Sequence, residues 1–412
     1  MAEIFDCSFC GKPSTEVKKL IAGPGVYICN ECVGKCYEIL LDGSVINSSP
    51  IKPAPIAEKQ LPNPREIKEF LDEYVIGQDY AKEILSVSVY NHYKRLENPV
   101  IDGVEIDKAN LLVVGKSGTG KTLLAQTIAR FLEVPFAIAD ATSLTEAGYV
   151  GEDVESIISR LLTSANNDVK KAERGIIFID EIDKKAARNT NSGNRDVSGE
   201  GVQQALLKML EGADVMVAPA GVKKSPSTEL TKVNTKNILF IVGGAFNGLE
   251  KIVERSISKD QIGIGFGAKC IDKVKSKDID LLRQLEPEHL VEFGLIPELV
   301  GRLPIIAPLS ELDEDQLVHV LTGPKNAIIK QFVAMFRVEG VQLDFTEAAL
   351  MAVAKIAKLR KTNGRALRSV LESVLMKTQF KLPDFRENGV VRILIGEGTI
   401  TGASDPEVFF ES

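Results

Sequence analysis

At 412 residues with 44% hydrophobic content, the chain has room for two or three domains and a full core in at least one of them. A formal net charge of −7, 26% charged residues and no Trp give no sign that a nucleic-acid surface or an anionic membrane is the main partner. No apolar run approaches the about 20 residues needed to span a bilayer, and the opening residues lack a basic segment followed by an apolar stretch, so a soluble, cytoplasmic protein is expected.

Taken in chain order, the first signal is Cys7, Cys10, Cys29 and Cys32, with spacing C-x2-C-x18-C-x2-C. Each pair places two thiolates on one tetrahedral metal, and four thiolates close the coordination sphere, so a structural Zn2+ is expected in a module over residues 1–42. Cys36 and Cys270 read as packing residues. Such a ribbon serves protein or nucleic acid equally well; Leu20, Ile21, Val26, Tyr27 and Ile28 favour protein contact or self-association. Residues 43–64 carry Pro50, Pro53, Pro55, Pro62 and Pro64 among small and polar residues, which reads as a flexible linker.

From residue 65 to 309, short apolar runs alternate with helical patterns: Leu111–Val114, Ile176–Ile179 and Ile238–Val242. Continuous apolar runs between helices predict an α/β domain with a parallel sheet covered on both faces. Directly after the first run stands Gly115-Lys116-Ser117-Gly118-Thr119-Gly120-Lys121-Thr122, a full match to G-x4-G-K-[ST], and the helical pattern Leu123 to Leu132 follows. Contact with ATP is expected from Lys116 through Leu123. The glycines let backbone N–H groups wrap phosphate, Lys121 places a cation between the β- and γ-phosphates, and the Thr122 hydroxyl ligates Mg2+. Ile176–Ile179 runs into Asp180 and Glu181. Carboxylates at the carboxyl end of such a strand sit beside the phosphate loop, where Asp180 holds Mg2+ through water and Glu181 polarises the attacking water. Beyond Ser310 the pattern becomes mostly helical, with a strand at Val390–Ile395, giving a smaller domain over 310–400 and a loose tail over 401–412.

With these motifs in place the chain resembles the ClpX family of AAA+ ATPases over nearly its whole length, from Cys7 to the Val390 strand. The resemblance implies an AAA+ phosphate-loop domain followed by a small AAA+ domain. It puts Val75 and Ile76, within Tyr74-Val75-Ile76-Gly77-Gln78, in the adenine pocket. It makes Gly148-Tyr149-Val150-Gly151 the first pore loop, where Tyr149 and Val150 grip a translocating polypeptide, and Arg195–Gly201 the second. Ile264-Gly265-Phe266 becomes the tripeptide that docks on the ClpP peptidase ring. Arg302 becomes the arginine finger offered to a neighbouring subunit, and Arg365 the second sensor on the small domain.

Further implied partners are a homohexamer, tagged protein substrates and adaptor proteins. The sequence departs from the family at Val222-Lys223-Lys224-Ser225, where an Arg-Lys-His cluster is usual, and at Gly243 and Gly244, where many AAA+ proteins place a polar sensor. The implied activity is an ATP-dependent protein unfoldase without peptidase activity: His92, His289 and His319 form no H-E-x-x-H motif, and no G-x-S-x-G is present. Two other readings stay open at this point, a nucleic-acid-remodelling ATPase that uses the zinc module for recognition and a non-enzymatic adaptor that only holds ATP.

Overall fold

The computed structural model describes residues 5–23, 26–41, 61–145, 152–187, 199–217, 230–261, 281–360 and 363–410. They fall into two compact units, Met1–Gln60 and Leu61–Ser412.

In the first unit, β1 (Leu20–Gly23) pairs antiparallel with β2 (Val26–Cys29), and α1 (Asn30–Leu41) follows at once. Phe5 stacks on Tyr27 with ring centroids 4.8 Å apart, a small apolar contact that supplements whatever a bound metal contributes.

The second unit begins at α2 (Pro64–Asp72). Asn63 caps it, accepting from the Arg65 and Glu66 N–H groups while the Glu66 side chain returns to the Asn63 N–H. Pro64, read from sequence as the end of the linker, is therefore the first helical residue, a position where the missing N–H and fixed φ of proline cost nothing. After α3 (Asp79–Glu97) comes a five-stranded, wholly parallel sheet built from β3 (Leu111–Val114), β4 (Phe136–Asp140), β5 (Ile176–Asp180), β6 (Leu239–Gly244) and β7 (Ile305–Pro308), in the order β7-β3-β6-β5-β4. Alternate residues of each strand enter different cores. Leu111, Val113, Phe178 and Ile241 pack with Leu85 and Leu124 on one face. Leu112, Val114, Ile179 and Val242 pack with Ile157 and Val202 on the other. Two buried faces explain why the strands read as uninterrupted apolar runs.

A third core gathers Leu317 and Leu321 of α7 (Glu314–Thr322), Phe332 and Phe336 of α8 (Ile328–Val338), Val353 of α9 (Glu347–Leu359) and Leu367 and Leu371 of α10 (Gly364–Phe380). It also carries a three-stranded sheet of β8 (Gln342–Phe345), β9 (Val390–Ile395) and β10 (Glu407–Phe410). The last strand corrects the loose-tail expectation for residues 401–412: Val408 packs on this core, and Arg392 lies over the Phe409 ring at 5.4 Å. Those contacts supply burial that the short, polar-flanked sequence does not advertise.

Candidate nucleotide site and metal centre

In the first unit, the Sγ atoms of Cys7, Cys10, Cys29 and Cys32 lie within 4.8 Å of one another. Cys7 and Cys32 are 4.0 Å apart and Cys10 and Cys29 3.7 Å, close to the roughly 3.8 Å edge of a tetrahedron with 2.3 Å metal–sulfur bonds. The Cys29 N–H points at the Cys7 sulfur at 3.2 Å, a donor that stabilises thiolate charge. Cys29 closes β2 and Cys32 sits in the first turn of α1, so the hairpin-to-helix corner fixes one pair against the other. The four sulfurs fit a structural Zn2+.

In the second unit, β3 delivers the chain into the phosphate loop, and Gly118 and Gly120 take φ of 79° and 103°. Those left-handed values turn the backbone toward the N-terminus of α4 (Lys121–Leu132), which has no side-chain cap and so keeps its anion-binding character. Lys121 is 8% exposed, and its Nζ donates to the Gly115 carbonyl at 2.6 Å and the Lys116 carbonyl at 3.3 Å. Burial pushes its pKa below the usual lysine range; Asp180, Asp183 and Glu181 pull upward, and Arg365 pushes further down. A polyanion placed here would restore the full ammonium charge.

The Thr122 hydroxyl donates to Asp180 Oδ2 at 3.2 Å. This contact spans two strand positions, because β6 lies between β3 and β5. Glu181 leaves the strand with φ 58°, its N–H bonded to Asp180 Oδ1 at 2.9 Å. The fit of β6 between β3 and β5 depends on Gly243 and Gly244. A Cβ on Gly243 would lie 2.8 Å from the Phe178 ring, and one on Gly244 would lie 2.5 Å from Phe246 and 2.9 Å from Asp183 Oδ1. Close packing explains why these two positions, where the sequence departs from the family, carry glycine.

A cavity of about 590 Å³ opens over the loop. Of the residues singled out from sequence, Val75, Ile76, Gly118, Thr119, Gly120, Lys121, Thr122, Leu123, Asp180 and Arg365 all line it. Leu312, Val320 and Ile328 from the third core complete an apolar wall beside Val75 and Ile76, suited to a flat base. The remaining ones are elsewhere. Lys116 turns its ammonium to Glu311 and, at 3.9 Å, to Glu250. The Ser117 carbonyl accepts from Asn363 Nδ2 at 3.1 Å. Arg302 lies at the opposite end of the sheet. It precedes β7, whose Ile305 pairs with Leu111 and Pro308 with Val114, whereas the phosphate loop follows Val114. Its guanidinium holds Glu211 Oε1 at 2.7 and 3.0 Å. Tyr149, Val150, Ile264, Gly265, Phe266 and the Val222–Ser225 stretch lie outside the described residues.

Three contributors escaped the sequence reading. Gln78, 6% exposed, donates to the Thr119 carbonyl at 3.4 Å from within the adenine-side segment. Asn363, with φ 44°, joins the Gly364 N–H in holding the carbonyls of Ser117 and Gly118, which seats the start of α10 on the phosphate loop. Arg130 lies 4.0 Å over the Tyr74 ring and lines the cavity. The Asn363-Gly364 dipeptide was the one legible hint, since it marks a turn.

Residues 106–306 match the AAA domain (Cdc48 subfamily) family, and residues 6–42 match the ClpX C4-type zinc finger family. Over 402 residues the chain is 49% identical to the ATP-dependent Clp protease ATP-binding subunit ClpX of Treponema denticola, covering 97% of this chain and 94% of that one.

Proposed function

This chain belongs to the ClpX family of AAA ATPases, and on that footing we propose that it is an ATP-dependent unfoldase that draws tagged proteins through a homohexameric pore into a ClpP-type peptidase ring. The observation that carries the reading is the cavity at which the phosphate loop, Asp180 and Arg365 meet, walled by Val75 from one core and by Leu312 and Val320 from another. A site lined by both cores changes its fit when they tilt, so nucleotide state and mechanical state are linked.

Within that cavity, Lys121 exchanges backbone carbonyls for phosphate oxygens. Thr122 and Asp180 present the hard oxygen ligands that Mg2+ takes, and when bound that ion offsets phosphate charge. Glu181 orients the attacking water. Arg302 is too far along the sheet to serve its own loop, which favours a role on the nucleotide of a neighbouring copy and makes turnover depend on assembly. Tyr149 and Val150 grip the polypeptide, and Ile264-Gly265-Phe266 inserts into the peptidase. Among the described residues no helix is long and apolar enough to cross a membrane.

Family membership sets aside the readings as a nucleic-acid-remodelling ATPase and as a non-enzymatic adaptor. The deciding experiment incubates the protein with ATP, a ClpP peptidase and a tagged, folded fluorescent substrate. Fluorescence should fall only with ATP present and Tyr149 intact. Equal loss with Tyr149→Ala would remove the pore assignment, and loss of degradation but not of unfolding on deleting residues 264–266 is expected from the docking assignment.

A further inference from the structure

A single peptide unit at the carboxyl end of β6 joins the phosphate loop to the turn that follows Glu181. Its carbonyl, that of Gly244, accepts from the Gly115 N–H at 3.1 Å, and its N–H, that of Ala245, donates to Asp183 Oδ1 at 3.0 Å. Gly115 opens the phosphate loop, and its own carbonyl holds Lys121 Nζ at 2.6 Å. Asp183 stands in the short helical turn Ile182–Lys185, which the Lys184 N–H closes on the Glu181 carbonyl at 3.0 Å. Hydrogen bonds in series therefore lead from the Lys121 ammonium to the turn that Glu181 begins.

Asp183 is 8% exposed. An asparagine would accept the same N–H without the cost of burying a charge, so support of the backbone alone does not account for a carboxylate here. The charge makes the bond to Ala245 stronger than a neutral one, and a peptide that donates at one end and accepts at the other is polarised by both bonds. That charge also reaches the phosphate loop: burial pushes the Lys121 pKa down, and Asp180 and then Asp183 pull it up. Asp183 Oδ2 lies 3.7 Å from the Nζ of Lys184, a half-exposed partner. A side chain on the end of β6 could not make the same link, because a Cβ on Gly244 would fall 2.9 Å from Asp183 Oδ1. Backbone reaches Asp183 where a side chain has no room.

We propose that Asp183 is a positioning residue for hydrolysis, tying the turn that carries Glu181 to the phosphate loop through the Gly244–Ala245 peptide. When Lys121 exchanges the Gly115 carbonyl for a phosphate oxygen, any shift of Gly115 passes through its N–H to that peptide and on to Asp183. The acid that orients water is thereby set by the arrival of phosphate. The inference rests on the reading of Glu181 as that acid.

The test measures single-turnover phosphate release and the affinity for a fluorescent ADP analogue in the full chain. Asp183→Ala should slow release by roughly tenfold or more while affinity stays within about twofold of the unsubstituted protein. Asp183→Asn keeps the acceptor without the charge and should fall between the two. Added to Glu181→Gln, Asp183→Ala should cost less than about a further twofold, since the group it positions is already gone. Full turnover in Asp183→Ala, a loss confined to affinity, or an equal loss with and without the Glu181 carboxylate overturns the proposal. Full turnover in Glu181→Gln instead overturns the reading of Glu181, and this proposal with it. If Asp183→Ala fails to fold, Asp183→Asn, compared in the same two backgrounds, carries the test.

Discussion

Gln78 and Ser310, 232 positions apart, exchange hydrogen bonds in both directions: Gln78 Nε2 donates to the Ser310 carbonyl at 2.8 Å, and Gln78 Oε1 accepts from the Ser310 N–H at 2.8 Å. The same amide accepts from the Ser310 hydroxyl at 3.2 Å and donates to the Thr119 carbonyl at 3.4 Å. One buried side chain therefore ties the phosphate loop to the point where the chain leaves the parallel sheet for the third core.

Replacing Gln78 with Ala would leave the Ser310 and Thr119 groups without their partner, at a cost of about 2 kcal/mol. Affinity for a fluorescent ADP analogue should fall roughly tenfold, and the melting temperature should drop with it. A melting shift with nucleotide affinity untouched would show that Gln78 is structural only.

Glu181→Gln keeps the size of the side chain but removes the carboxylate proposed to orient the attacking water. Nucleotide binding should persist while phosphate release slows by at least about a hundredfold. Equal turnover in both proteins would remove Glu181 from the water-orienting role.

Because Arg302 and the phosphate loop stand at opposite ends of β3 and β7, the finger and the base of one active site should come from different subunits. Arg302→Ala alone and Glu181→Gln alone should both be inactive. Mixing them should restore part of the ATPase activity, since some interfaces then join an intact Glu181 to an intact Arg302. No recovery on mixing, with assembly confirmed by sedimentation, argues for a cis arrangement.

Stripping zinc with a chelator should unfold residues 5–41, read as fast amide exchange there, because a hairpin and one helix bury too little to hold without the metal. The melt of the unit from Leu61 onward should not change. Cys29→Ser should reproduce the effect without a chelator.

Gly244→Ala tests the packing account of the glycine pair. The added Cβ would sit 2.5 Å from Phe246, so about 1–3 kcal/mol of destabilisation is expected. Since Asp183 also accepts from the Ala245 N–H at 3.0 Å, displacing it should perturb turnover as well.

The sequence by itself determined the chemistry that is contiguous along the chain. Gly115–Thr122, the Asp180–Glu181 step and the two cysteine pairs are each confined to a few neighbouring residues, so spacing alone fixes their geometry. The two-faced strands were legible for the same reason, because burial on both sides leaves an unbroken apolar run. Tertiary structure alone decided the rest. Only the strand order brings Asp180 within 3.2 Å of Thr122 across an intervening strand, only the packing of the third core brings Asn363 to the Ser117 carbonyl, and only the fold lets Gln78 join Ser310 to Thr119. The strand at Glu407–Phe410 depends likewise on its pairing with β9, and the separation of Arg302 from its own loop on the pairing of β7 with β3, a strand far earlier in the chain. Local periodicity records which face of an element is buried, but carries no information about which distant segment will cover it.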